Sequence, residues 1–163
     1  MSDDKIKLLI VDDEERFLAT LAKRLELRDF EVMPVTSGEA ALEKADQKQF
    51  DIVLLDLKMP GMQGEDVLEV LKKDHPHLEV IILTGHGSVD SAVECLKSGS
   101  YHYLQKPCDM DDLVNVVKDA YMVRVQKKLE LDEARLNSML GFSDAESPMA
   151  ILRRLREIDK TGK

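Results

Sequence analysis

Short apolar runs alternate along this chain with longer stretches in which apolar residues recur every three or four positions. Residues 5–11, Lys-Ile-Lys-Leu-Leu-Ile-Val, end abruptly at a pair of acids, as a buried parallel strand would. Residues 14–27 follow, with Phe17, Leu18, Leu21, Ala22 and Leu25 at helical spacing and charges between them. Residues 30–35 read as a second strand, and Ser37-Gly38-Glu39 opens a helix to about residue 46, with Ser37 as its N-cap. A third strand over 51–55 stops at Asp56. Met59-Pro60-Gly61 then breaks the chain ahead of a helix over 63–73 that sets Val67, Leu68 and Leu71 on one face. The pattern continues with a strand over 78–83, a helix over 88–97, a short fifth strand over 101–104 and a helix from about Asp109.

Strands alternating with helices predict an α/β fold: parallel βαβ units in a doubly wound sheet covered on both faces. Such sheets bind ligands beyond the carboxyl ends of their strands. That is where the reactive side chains fall. Asp12 and Asp13 end the first strand, Asp56 the third and Thr84 the fourth, while Lys106 follows the fifth.

An aspartate at a strand end is ordinarily a cap or a turn former. Five polar residues on successive strand ends call for another explanation. Three carboxylates at one sheet edge repel one another, and a hard divalent cation relieves the conflict; a site with few carboxylates and open water positions suits Mg²⁺. Lys106 adds a compact positive charge for a carboxylate or phosphoryl oxygen, and Thr84 a short hydroxyl donor. Together these are the parts of phosphoryl transfer, in which positioning and charge neutralisation dominate. One carboxylate can itself be the nucleophile, giving an aspartyl phosphate.

Composition narrows the class further. The 163 residues suit about one domain, and an apolar share of 44% builds a core, which excludes global disorder. A net charge of −9 argues against a chain whose bulk lies on nucleic acid or an anionic membrane. No apolar run reaches the ~18–20 residues of a membrane span. The opening Met1-Ser2-Asp3-Asp4-Lys5 has no signal-peptide pattern, and two cysteines make no disulfide framework, so a reducing cytoplasmic setting is expected. Charge is unevenly spread: residues 1–125 carry 15 basic against 25 acidic side chains, residues 126–163 carry 8 against 7. With a change of periodicity at the same place, this divides the chain into a domain over 1–125 and a helical tail over 126–163.

Four stretches carry a resemblance. Leu9-Ile10-Val11-Asp12-Asp13-Glu14, the run from Leu55-Asp56-Leu57-Lys58 to Met59-Pro60-Gly61-Met62-Gln63-Gly64, Ile82-Leu83-Thr84-Gly85-His86-Gly87, and Gly99-Ser100-Tyr101-His102-Tyr103-Leu104-Gln105-Lys106-Pro107 are similar, in order and separation, to the receiver domain of two-component response regulators. The resemblance covers residues 1–122 and implies a flavodoxin-like sheet of order 2-1-3-4-5. It implies that Asp56 accepts phosphate from a sensor histidine kinase or a phosphotransfer protein. Asp13, Asp56 and the Lys58 backbone carbonyl would then hold Mg²⁺, with Asp12 acting through water. Lys106 would clamp the phosphoryl group beside a cis Lys106-Pro107 bond. Thr84 and Tyr103 would form a switch, the hydroxyl moving to the phosphate as the ring turns inward, with output through the fourth helix, fifth strand and fifth helix. His102 and Cys108 depart from the family pattern. Lys58 and His86 occupy positions that tune phosphate lifetime in the family. The rivals are a receiver used only as a binding module and an aspartyl-phosphate phosphohydrolase. The latter wants a second acid two residues beyond the nucleophile, where Lys58 stands.

The remaining features read more plainly. His75 and His77 flank Pro76 as turn histidines rather than metal ligands; Cys95 and Cys108 are packing residues, and Met59 and Met62 plug the loop after Asp56 from beneath. Beyond Met110 an apolar stripe of Leu113, Val116, Val117, Ala120, Tyr121, Val125, Leu129, Leu136 and Leu140 predicts one long helix. A coiled coil between two copies, or packing on its own receiver, would bury that stripe. Gly141 ends the helix, and Ser147-Pro148 starts another, with Ile151, Leu152, Leu155 and Ile158 on one side and Arg153, Arg154, Arg156 and Lys160 on the other. Such a basic face is usually solvated, and nucleic acid is not an expected partner. Gly141 through Ile158 resembles the entry to the ATPase domain of enhancer-binding regulators of the nitrogen-regulatory type. With no phosphate-binding Gly-rich loop in the chain, that leaves a receiver plus linker or a regulator without an effector domain.

Overall fold

Side chains alternate between the faces of a strand, and here the three central strands are mostly apolar and buried, so each of them feeds two cores at once. The computed structural model describes residues 4–141 and 148–161, with side chains as far as 158. Its elements are β1 (Lys7–Val11), α1 (Glu15–Leu27), β2 (Glu31–Val35), α2 (Gly38–Gln47), β3 (Ile52–Leu55), α3 (Gly64–Asp74), β4 (Glu79–Thr84), α4 (Val89–Lys97), β5 (His102–Gln105), α5 (Met110–Leu140) and α6 (Pro148–Thr161). The five strands are parallel and lie in the order β2-β1-β3-β4-β5. This is the doubly wound α/β arrangement expected from the alternation of elements. Pro34, which cannot donate to a ladder, sits on the edge strand β2.

Leu9, Val11, Val53, Leu55, Val80 and Ile82 face one way, against Ala41 and Ala45 of α2, Val67, Leu68 and Leu71 of α3 and Cys95 of α4. Leu8, Ile10, Ile52, Leu54, Ile81 and Leu83 face the other, against Leu18, Leu21 and Leu25 of α1 and Leu113, Val114, Val117 and Ala120 of α5. Helix ends follow their local signals. Ser37 Oγ accepts from Ala40 N–H at 3.1 Å, the predicted N-cap. Gly141 takes a positive φ of 76° at the end of α5.

Two compact units make up the chain, Met1–Arg124 and Val125–Lys163. In the second, Arg153 pairs with Glu133 at 2.8 Å, and Asn137 and Ala150 are buried. Leu129, Leu136, Leu140, Ile151, Leu152, Leu155 and Ile158 are all exposed. The predicted apolar positions beyond Val125 are thus about half exposed within this unit, while Asn137 and Ala150 are buried. Ser147 and the side chain of Lys160, expected at the cap and basic face of the last helix, lie outside the described residues. Among the described residues, no helix is long and apolar enough to cross a membrane.

Candidate functional site

Each reactive strand end is fixed by one backbone hydrogen bond past the strand itself. Asp12 N–H donates to Val35 O at 3.2 Å, Asp56 N–H to Val11 O at 3.0 Å and Lys106 N–H to Thr84 O at 2.8 Å. The register, with Val11 opposite both Val35 and Leu55 and Thr84 opposite Gln105, carries these residues to the same edge of the sheet. The placement is thus set by the main chain, and the side chains meet as a result.

Carboxylate oxygens of Asp12, Asp13 and Asp56 all lie within 4.8 Å of one another. Asp12 and Asp56 are each 2% exposed, and Asp13 is half-buried. One positive charge serves this cluster from within: Lys106 Nζ is 2.5 Å from Asp12 Oδ2 and 3.9 Å from Asp56 Oδ2. Asp12 Oδ1 accepts from Glu14 N–H at 2.9 Å. Burial pushes the Asp12 carboxyl above the usual carboxylate range, with the hydrogen bonds from Lys106 and Glu14 N–H opposing. Asp56 Oδ1 is buried and has no hydrogen-bond partner. A buried acceptor left open costs about 1–3 kcal/mol, so such atoms are seldom orphaned without a use. All-oxygen donors, excess negative charge and an open acceptor together fit a hard divalent cation such as Mg²⁺.

The surroundings press closely on the acceptor loop. A Cβ on Gly64 would lie 2.3 Å from Asp56 O and 2.5 Å from Leu57 Cα, so only glycine lets α3 start there. Gly64 N–H donates to Leu57 O at 2.8 Å. Lys58, which follows, is exposed, whereas Met59 is buried and Met62 packs against the core beneath. Thr84 is fully buried, and its hydroxyl oxygen accepts from His86 N–H at 3.2 Å. Tyr103 packs against the core face shared by α2, α3 and α4, and its hydroxyl lies 2.8 Å from Ser91 Oγ. The Lys106-Pro107 bond is cis, as expected.

Comparison with known proteins agrees with this geometry. Residues 8–118 match the family model of the response regulator receiver domain. The chain belongs to that family. Its receiver is 34% identical over 140 residues to the luminescence regulatory protein LuxO of Vibrio campbellii, covering 86% of this chain and 31% of that one. A receiver domain from Clostridium thermocellum superposes with a TM-score of 0.69 at 37% identity, covering 76% of this chain and 98% of that one. NtrX from Brucella abortus superposes at 0.74 with 28% identity, over 80% of this chain and 30% of NtrX. The receiver thus resembles those of the nitrogen-regulatory group, and this chain spans about a third of the length of such relatives.

Two contacts in this receiver escaped the sequence reading. Phe17, taken as one more apolar residue of α1, lies with its ring centroid 3.9 Å from Lys106 Nζ. Ser91, read only as part of α4, completes a reciprocal cap with Ser88 and also reaches Tyr103. The Ser-x-x-Ser spacing from Ser88 was a visible signal for the cap; nothing marked the tyrosine contact. His75 is spoken for by Asp46, with Nε2 2.9 Å from Oδ1, and the carbonyl of His77 accepts from Arg124. Among the described residues the aspartate trio is the one metal-competent cluster.

Proposed function

We propose that this receiver is a phosphoacceptor in which Asp56 takes a phosphoryl group from the phosphohistidine of a sensor histidine kinase or phosphotransfer protein. An Asp56 carboxylate oxygen forms the new bond to phosphorus as the phosphorus–nitrogen bond breaks, and that electron pair returns to the donor imidazole. The observation that carries the reading is the buried, unpartnered Oδ1 of Asp56, set within reach of two further carboxylates and a lysine. Asp13, Asp56 and the Lys58 carbonyl are the groups that would hold Mg²⁺, with Asp12 acting through water. Bound there, the ion neutralises the charge that builds on the phosphoryl oxygens. Lys106 supplies a second positive charge on the same oxygens, and Thr84 leaves His86 N–H to donate to one of them.

That exchange biases a two-state surface. Tyr103 and the α4–β5–α5 face respond, and partner binding changes with them. Exposed Val89, Val93 and Leu96 on α4 give that face an apolar patch. Residues 1–125 act as the receiver, and 126–163 as a helical linker whose exposed leucines pair with a second copy. The setting is the reducing cytoplasm. Lys58 stands where a phosphohydrolase of this chemistry has a second acid, which argues against turnover of an external substrate. Because the chain spans about a third of its relatives, the receiver and linker also fit as the regulatory part of a larger transcriptional regulator.

The test is incubation with Mg²⁺ and acetyl phosphate, read by intact mass. One phosphoryl group is expected on the wild-type chain and none on Asp56→Asn. Modification that persists in Asp56→Asn overturns the assignment.

A further inference from the structure

Lys106 carries its charge on a long flexible stem, and holding such a side chain in one place costs rotamer freedom. Yet it is 13% exposed, with its ammonium close to three groups. Asp12 Oδ2 at 2.5 Å and Asp56 Oδ2 at 3.9 Å attract it by charge. The third group is uncharged: the Phe17 ring, whose centroid is 3.9 Å from Nζ. An aromatic face within ~6 Å attracts an ammonium through its quadrupole, more strongly where water is excluded.

The sequence placement is economical. Phe17 is the third residue of α1, which begins directly after the loop that bears Asp12 and Asp13. Phe17 is half-buried and packs against the core cluster that α1 and α5 form with this face of the sheet. A leucine or methionine would also satisfy the apolar pattern at that position, with somewhat less volume. Only an aromatic residue also attracts the cation, which the hydrophobic pattern leaves unexplained.

We propose that Phe17 is a positioning residue for the phosphoryl site, holding the Lys106 ammonium over the acceptor pocket before the phosphoryl group arrives. Resting on the phosphoacceptor reading, this adds a residue to which that reading gives no part. The ring bears some of the cost of ordering Lys106 in advance.

The test compares Phe17→Leu, which keeps an apolar side chain and loses the π face, with Phe17→Tyr, which keeps the ring. Two quantities are read: the dissociation constant for fluoroberyllate in saturating Mg²⁺, and the proton shift of the Lys106 ε-methylene without either reagent. Binding roughly three- to tenfold weaker is expected in Phe17→Leu, with Phe17→Tyr close to wild type. The ε-methylene should be shifted upfield by the ring current in wild type and Phe17→Tyr, and lie at its ordinary position in Phe17→Leu. Should Phe17→Leu not fold, Phe17→Met makes the same comparison. Equal binding by wild type and Phe17→Leu, or failure of Phe17→Tyr to restore it, overturns the role of Phe17 alone. A wild-type chain that binds no fluoroberyllate overturns the phosphoacceptor reading and this inference with it.

Discussion

Burial acts on Asp12 and on the two cysteine thiols in the same direction but to different ends. Asp12 is pushed toward its neutral form by desolvation, while hydrogen bonds from Lys106 and from Glu14 N–H oppose the shift. Cys95 has no such opposition: burial, then the nearby Glu65 and Glu94 carboxylates, push its thiol up to about 11. The thiolate is the reactive form, so at neutral pH the Cys95 side chain is inert both chemically and sterically. Iodoacetamide at neutral pH should therefore leave Cys95 unmodified in the folded chain and label it once urea unfolds the protein; peptide mass mapping reads the difference. Rapid labelling of folded Cys95 would contradict its place in the core. Cys108 is half-buried with a raised pKa, and it should label more slowly than a free thiol.

Among the elements, two glycines show how helices are fitted to the site. A side chain at Gly64 meets backbone atoms of Asp56 and Leu57, which cannot step aside without moving the acceptor loop. Gly64→Ala should cost about 1–3 kcal/mol, seen as a lower urea midpoint, with amide shifts around Asp56 displaced. At Gly87 the obstacle is the Tyr103 hydroxyl, 2.5 Å from a built Cβ, the free end of a movable ring. Gly87→Ala should leave the urea midpoint near wild type while breaking the Ser91–Tyr103 contact, read in the Tyr103 ring resonances. The two variants separate a scaffold contact from a switch contact. Most element ends were legible to within a residue or two, because acids, Gly-Pro breaks and serine caps coincide with changes of period. β1 is the largest departure, beginning at Lys7 rather than residue 5.

For the whole molecule, the sheet edge could be read from sequence because strand ends and reactive side chains coincide along the chain. Phe17 and Ser91 could not, since their contacts depend on ring orientation and rotamer, which leave no periodic trace. The tail was legible as helix but not as packing: spacing identifies an apolar face without saying what meets it. Here Glu133 and Arg153 pair between the helices, Asn137 and Ala150 are buried, and the leucines stay about half exposed. Covering the exposed half of each such leucine would contribute ~1–2 kcal/mol. Light scattering should accordingly report a dimer of the wild-type chain, and a monomer once Leu129, Leu136 and Leu140 are all changed to Glu. A monomeric wild type would refute pairing through this face.

Because Asp12, Asp56 and Lys106 are each tethered through the main chain to a neighbouring strand, the spacing of the reactive groups does not depend on which aliphatic residues fill the layers above and below. Valine, leucine and isoleucine can interchange along β1, β3 and β4 over evolutionary time, and Asp12, Asp56 and Lys106 still converge. A single inserted residue in one of those strands is a different matter. It would throw one terminus out of phase with the others, so this architecture tolerates drift in composition far better than drift in length.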